Sequence, residues 1–490
     1  MKRSSGIFLH PTSLPSEFGV GDLGSNAYRW VDTLASMKQS YWQVCPLGPT
    51  SYGYSPYLTL SSFAGNHLLI SLELLYKEGL LSDSDLDSYP TLADDYAEFS
   101  KVEVAKLRVL KTAFKNFNSS RREFIDFCNK ESWWLNDYAL FVAMKKKNND
   151  LPWNEWPADI RLRVGDSVKL ACETEKDEMD FQKFLQYLFH TQWSKLKEYA
   201  NEKGIQIFGD VPYYIALDSS DAWSQPELFD FDENGKPGEV GGVPPDYFSA
   251  DGQLWGNPVY NWKLMKEDGY RWWINRIRKA LSFSDWVRID HFRAFESYWS
   301  IPASEKTAIN GEWVEGPGIS FFEALKAEFG DVPLIAEDLG VITPEVDKLR
   351  IDAGLPGMKV LQFAFDGNED NPYLPYNICN ESVVYTGTHD NNTSIGWYNE
   401  LDENAKNIIR NYLACSDEDF IWAFIRVALG TNADLSVVPF QDVLALDGAH
   451  RFNTPGTGEG NWKWRFDWGM LDLHKLEMFT NYTKIYGRSQ

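Results

Sequence analysis

Short apolar runs rich in β-branched and aromatic residues recur along the chain. Most stop at a turn of Gly, Pro or polar residues that holds an Asp, Glu, His or Tyr. Eight stand out: Gly6–Leu9, Tyr41–Cys45, Ile205–Phe208, Trp286–Ile289, Leu334–Ala336, Met358–Phe363, Val383–Tyr385 and Leu435–Val438. Between most of them the apolar positions take the three-and-four spacing of amphipathic helices, so strand and helix alternate as in a parallel sheet. One helix is punctuated at both ends: Thr343 as N-cap, Pro344 in the first turn, and Gly354 for a left-handed stop. The count of eight predicts an α/β chain closed into a (β/α)8 barrel. A doubly wound open sheet is the alternative, and no Gly-rich phosphate loop supports it.

Two intervals are too long for simple crossovers. From about 73 to 200 the pattern is helical and heavily charged. Leu110, Ala113, Phe114 and Phe117 share one face, as do Trp134, Tyr138 and Phe141, and Phe181, Phe184, Leu185 and Leu188. We expect a helical insertion after the second strand, interrupted at Pro152 and Pro157, with Lys145–Lys147 as the solvated end of a helix. From about 212 to 269 the chain is rich in Gly and Pro and reads as an irregular insertion after the third strand, of the kind used as a lid or binding loop. On this reading residues 1–490 form one elaborated barrel.

Composition narrows the function. The 71 acidic and 47 basic residues give a formal charge of -24, a field that repels nucleic-acid phosphates and anionic lipid. Aromatics make up 15% of the residues, including 20 Trp, which suits neutral sugars, although most such rings belong to cores. The five cysteines are scattered without a CxxC pair, which argues against a disulfide framework or a structural zinc. The basic start is followed by Ile7–Leu9, which His10-Pro11 cut short of a signal-peptide core, and no run reaches membrane-spanning length. A cytoplasmic protein is expected.

Candidate chemistry lies where three predicted strands end. Strand four runs into Arg288-Ile289-Asp290-His291, and alternation puts Arg288 and Asp290 on one side, where the guanidinium would keep Asp290 ionised. Strand five ends in Ala336-Glu337-Asp338, and a negative Asp290 nearby would raise Glu337 toward its protonated form. Strand seven ends in His389-Asp390-Asn391. A lone acid at a strand end is usually a turn or cap residue, but three suit retaining glycoside chemistry. There, two carboxyls about 5 to 5.5 Å apart act as nucleophile and acid/base. The same histidines and acids could imitate metal ligands, but they lack a tight ligand spacing.

These segments resemble the catalytic regions of the amylomaltases, or disproportionating enzymes, of glycoside hydrolase family 77. So do His10–Pro15, Pro46–Thr50, Ser55-Pro56-Tyr57, Gly209–Pro212 and Arg451–Thr457, and the similarity runs through nearly the whole chain. The resemblance implies an α-amylase-like barrel with inserted subdomains, no metal or organic cofactor, and transfer of α-1,4-glucan segments between maltooligosaccharides, with glucose as an acceptor. It implies that Asp290 is the nucleophile, Glu337 the acid/base and Asp390 the transition-state stabiliser. Arg288, His291 and His389 would be supporting donors, and Tyr57 would stack on a sugar. Ser55, Asp210, Asn453 and Pro455 also fall in motifs matched to sugar binding. The Gly241–Trp255 segment resembles a loop over the cleft, in which Asp246, Phe248 and Trp255 would meet glucan. Ala294 and Asn392 depart from the family pattern without touching a proposed catalytic group.

The three acids do not by themselves separate transfer from hydrolysis, since water and a sugar hydroxyl can attack the same intermediate. The covering loop and its aromatics favour transfer. An α-glucan hydrolase is the alternative. A non-catalytic glucan-binding protein ranks last, because all three acids are present.

Overall fold

The computed structural model describes residues 2–245 and 249–489. Every predicted run forms a strand: β1 (Ser4–Phe8), β2 (Tyr41–Gln43), β3 (Gln206–Val211), β4 (Trp286–Ile289), β5 (Leu334–Ala336), β6 (Gly357–Val360), β7 (Ser382–Tyr385) and β8 (Leu435–Pro439). They pair in parallel in the order β6-β7-β8-β1-β2-β3-β4-β5, so β1, first in the chain, lies in the middle of the sheet. The sheet curls until β5 and β6 meet. At that seam the ladder gives way to one backbone bond, Ala336 N to Pro356 O at 2.9 Å. Beside it the buried Asp338 carboxylate takes the Met358 N–H at 2.6 Å. β6 is shorter than predicted: its pairing ends with Val360 opposite Tyr385, and Leu361–Phe363 turns into a 3-10 helix.

Thr343 does stand at the N-cap of Pro344–Asp352, but its hydroxyl makes no capping bond, so Pro344 in the first turn carries that helix start. Gly354 stops the helix at a φ of 69°. Outer helices bury one stripe against the strands, as in Ser25–Ser36, where Ala27, Trp30, Val31 and Leu34 face inward. Trp30 meets Phe440 edge-on with ring centroids 4.6 Å apart.

Residues between β2 and β3 form helices, the longest being Lys176–Glu202. Its Phe181 and Phe184 pack on Phe114, and Phe184 also on Phe117. Buried Lys279, on the helix Arg271–Phe283, pairs with buried Glu131 at 2.7 Å and fastens this layer to the barrel. Lys145, Lys146 and Lys147 end the helix Ser132–Lys147 and pair with Asp218, Glu178 and Glu175.

The interval after β3 is more regular than its sequence indicates. Glu239–Val243 pairs antiparallel with Gln253–Pro258 on one side and with Ser297–Pro302 on the other, and Glu312–Glu315 completes a four-stranded sheet. Two of these strands arrive only after β4, so the local pattern gave no sign of the pairing. Gly241 allows a close approach, since a Cβ there would run into the ring of Tyr214.

At the far end of the barrel, fully buried Arg488 donates to the carbonyls of Ser4, Leu429, Thr431 and Ala433 and ties the chain's end to β1 and the lead into β8. Replacing Arg488 with Met takes its donors from all four carbonyls and leaves those of Leu429 and Thr431 to Arg3 alone. The expected cost is about 3 kcal/mol, read as a thermal midpoint several degrees lower, and an unchanged midpoint would show that the clamp is dispensable.

Candidate active site

The strands' C-terminal ends converge on a cluster built around Arg288. Its position on β4 is opposite Asp210 on β3, and the guanidinium bonds Asp210 Oδ2 and Asp290 Oδ1, each at 2.8 Å. Burial works against the charge on Arg288, but the two carboxylates more than restore it and hold the group firmly protonated. Asp210 is only 1% exposed, so it lies behind the cleft surface. Burial raises its carboxyl to about 6 against the pull of Arg288.

Asp290 and Glu337 follow the paired residues Ile289 and Ala336, at one level on strands about 4.8 Å apart. Glu337 N donates to Ile289 O at 3.0 Å and Phe292 N to Glu337 O at 3.1 Å, which fixes the two turns together. Burial is the main reason the Glu337 carboxyl rises to about 8. Asp290 adds to the shift, while Arg288 and the N–H groups of His291 and Leu339 oppose it. From the sequence only the effect of Asp290 is visible, because burial cannot be seen without the fold. His291 adopts a left-handed conformation, φ 49°, which directs its N–H to Glu337 Oε2 at 2.7 Å. Its ring is buried against Trp255, with centroids 5.0 Å apart, and burial lowers it to about 4, a neutral imidazole at pH 7.

Across the cleft, Asp390 is 48% exposed. Its Oδ1 accepts from Asn453 Nδ2 at 2.6 Å and its Oδ2 lies 3.2 Å from His389 Nε2. The burial around it would raise this acid, but His389 and Asn453 overcome that and hold it near 2. Tyr57 stacks on His389 at 4.8 Å, and its hydroxyl donates to Asp210 Oδ2 at 2.9 Å while lying 3.3 Å from His389 Nδ1.

The structure therefore brings together Tyr57, Asp210, Arg288, Asp290, His291, Glu337, His389, Asp390 and Asn453. Trp255 joins them from the strand Gln253–Pro258, 39% exposed and packed on Tyr214 and His291. Ser55 lies in the turn before Tyr57, whose N–H it accepts at 3.3 Å, and Pro455 sits exposed in the turn after Asn453. Asp246 and Phe248 lie outside the described residues. Sequence reasoning passed over three neighbours. Arg451 donates to Asp390 O at 2.6 Å, Trp462 packs on Tyr57 and His389, and Tyr214 backs Trp255. Arg451 lies in a segment already marked for its motif; nothing in the local pattern marks Trp462 or Tyr214.

The 4-alpha-glucanotransferase profile of glycoside hydrolase family 77 matches residues 9–471. The chain belongs to the 4-α-glucanotransferase family. It is 49% identical to the 4-alpha-glucanotransferase of Synechocystis over 99% of this chain and 98% of that one. It is 46% identical to the Thermus thermophilus enzyme over 95% of each. The solved amylomaltase of Streptococcus agalactiae in complex with acarbose superposes with a TM-score of 0.97 at 37% identity, covering all of both chains. The fold and the enzyme class read from the sequence, glucan transfer rather than hydrolysis, are those of this family and of its named relatives.

The raised Glu337 has a consequence for the stability of this glucanotransferase. A carboxyl that stays protonated in the fold up to about 8, against an ordinary 4.5, stabilises the fold fully below 4.5 and loses that contribution as pH rises through 8. The variant Glu337→Gln lacks this loss, so its thermal midpoint should gain on the wild type steadily between those pH values. Parallel curves would mean that Glu337 titrates normally.

Proposed function

We propose that the chain works by a retaining double displacement, with Asp290 as nucleophile, Glu337 as acid/base and Asp390 as transition-state stabiliser. The observation that carries this is the contrast between two neighbouring carboxyls. Arg288 orients Asp290, while burial keeps Glu337 protonated. Asp290 attacks the anomeric carbon as Glu337 gives its proton to the departing glycosidic oxygen. The released glucan leaves, and Glu337, now a base, takes the proton from the 4-hydroxyl of an acceptor glucan or glucose as that oxygen displaces Asp290. Asp390, ionised throughout the working range, holds sugar hydroxyls and favours the cationic transition state.

α-1,4-Glucans are the substrates this site suits, with Tyr57 and Trp255 as ring platforms and Arg288, His291, His389 and Asn453 as polar groups along the cleft. The solved relative that shares the whole fold carries acarbose, which supports a saccharide in the corresponding cleft. Trp255 and the sheet behind it cover one side of the acids and favour a sugar acceptor over water. All five cysteines are free, and among the described residues no helix is long and apolar enough to cross a membrane, which supports a cytoplasmic setting.

Maltotriose given to the pure protein should yield glucose together with longer maltooligosaccharides, at a nearly constant number of reducing ends. Products limited to glucose and maltose would sink the transfer reading. Asp290→Asn and Glu337→Gln should each lower turnover by roughly 10⁴-fold while the circular dichroism spectrum stays that of the wild type; a variant that keeps near-normal turnover has been given the wrong role.

A further inference from the structure

The loop after β7 carries His389 and Asp390, and its base and its tip are held by different groups. The base is closed by the buried Asp442, in the short helix Phe440–Val443 that follows β8. One oxygen of that carboxylate accepts from the hydroxyls of Thr386 and Ser394, each at 2.6 Å, and the other accepts from Ser394 N at 2.8 Å. Asp390 lies at the tip, beyond the reach of this clamp. Its N–H is 3.3 Å from Thr388 Oγ1, whereas its carbonyl accepts from Arg451 Nη2 at 2.6 Å, so the arginine makes the shorter of the two main-chain bonds.

Arg451 comes from the segment after β8, and its second bond runs from Nε to Asn453 O, also at 2.6 Å. Asn453 Nδ2 in turn holds Asp390 Oδ1 at 2.6 Å. One guanidinium therefore bridges the main chains of two residues whose side chains meet in the cleft. The acids whose charge reaches Arg451 are Glu400 and Asp390, yet its bonds go to carbonyls, and Glu400 accepts from Asn392 Nδ2 at 2.8 Å. A planar fork shared by two carbonyls fixes the spacing between them, which a flexible ammonium does not do.

We propose that Arg451 is a positioning residue for Asp390: its bridge from Asp390 O to Asn453 O sets how far the Asp390 carboxylate reaches toward the reacting sugar. This rests on the reading of Asp390 as the transition-state stabiliser. Both bonds are to main chain, so the effect of Arg451 on the reaction passes through Asp390 and Asn453. A misplacement of about 1 Å at a group that must meet a developing charge costs about 100-fold in rate. Because Asp442 holds the base of the loop, loss of Arg451 loosens the tip and leaves the loop folded.

The test is Arg451→Met, which keeps most of the stem and removes every donor. Maltotriose turnover should fall about 10- to 100-fold, with KM changed less than about twofold, because the lost interaction matters most in the transition state. The inhibition constant of acarbose, whose unsaturated ring is flattened like that transition state, should rise by about tenfold or more. That constant does not depend on how much of the sample is folded, so it separates positioning from a loss of active protein. Arg451→Lys keeps the charge without the fork and should show the same pattern. Turnover that falls while acarbose inhibition stays at the wild-type value would overturn the proposal, as would wild-type values of both in either variant. Asp390→Asn is measured alongside. Near-normal turnover there would remove the role of Asp390 itself, whereas a severe loss there with a wild-type Arg451→Met would remove Arg451 alone.

Discussion

One buried guanidinium, that of Arg288, organises this site. It lies between Asp210 on the neighbouring strand and Asp290 at the end of its own, and binds both at 2.8 Å. A cation buried to this degree is tolerable only with well-placed acceptors, and the planar fork of an arginine can serve two carboxylates at once. The two contacts do different work. Asp290 is held at the cleft, while Asp210, enclosed behind the site, passes the interaction on to Tyr57 and so to His389 and Asp390. A change at Arg288 would therefore reach acids on both sides of the cleft.

The proposed double displacement also needs two carboxyls to differ although they sit side by side. Asp290 shares the guanidinium; Glu337 is enclosed and held to about 8, chiefly by burial. Backbone geometry ties them. The left-handed turn at His291, immediately after Asp290, delivers an N–H to the Glu337 carboxylate. The barrel's weakest closure is the adjacent seam between β5 and β6, where Asp338, next to Glu337, supplies a side-chain acceptor in place of a ladder bond. Arg350 at 3.1 Å from Asp338 anchors that substitute. Barrel closure and the placing of Glu337 thus share one short segment.

Covering of the site comes from a second, smaller sheet assembled from chain on either side of β4. It carries Trp255 to the His291 ring and sets Tyr214 behind both. Gly241 is required where the sheet lies against Tyr214, and a strand carries the tryptophan with less freedom than a loop would allow.

Much of this was present in the linear pattern. Eight apolar runs ending in polar turns define eight strands, because burial on both faces demands continuous apolar runs and chemistry collects where such strands end. Alternation along Arg288-Ile289-Asp290 was enough to pair the arginine with the acid, since that contact is local. What the sequence alone could not determine depends on partners far apart in the chain. Such contacts include Asp210 against Arg288, the Tyr57 hydroxyl between Asp210 and His389, Asn453 on Asp390, and strands 239–258 on strands 297–315. The elevation of Glu337 belongs with these. A residue's burial is set by everything packed around it, and the strength of a charge there follows from the folded surroundings rather than from its neighbours in sequence.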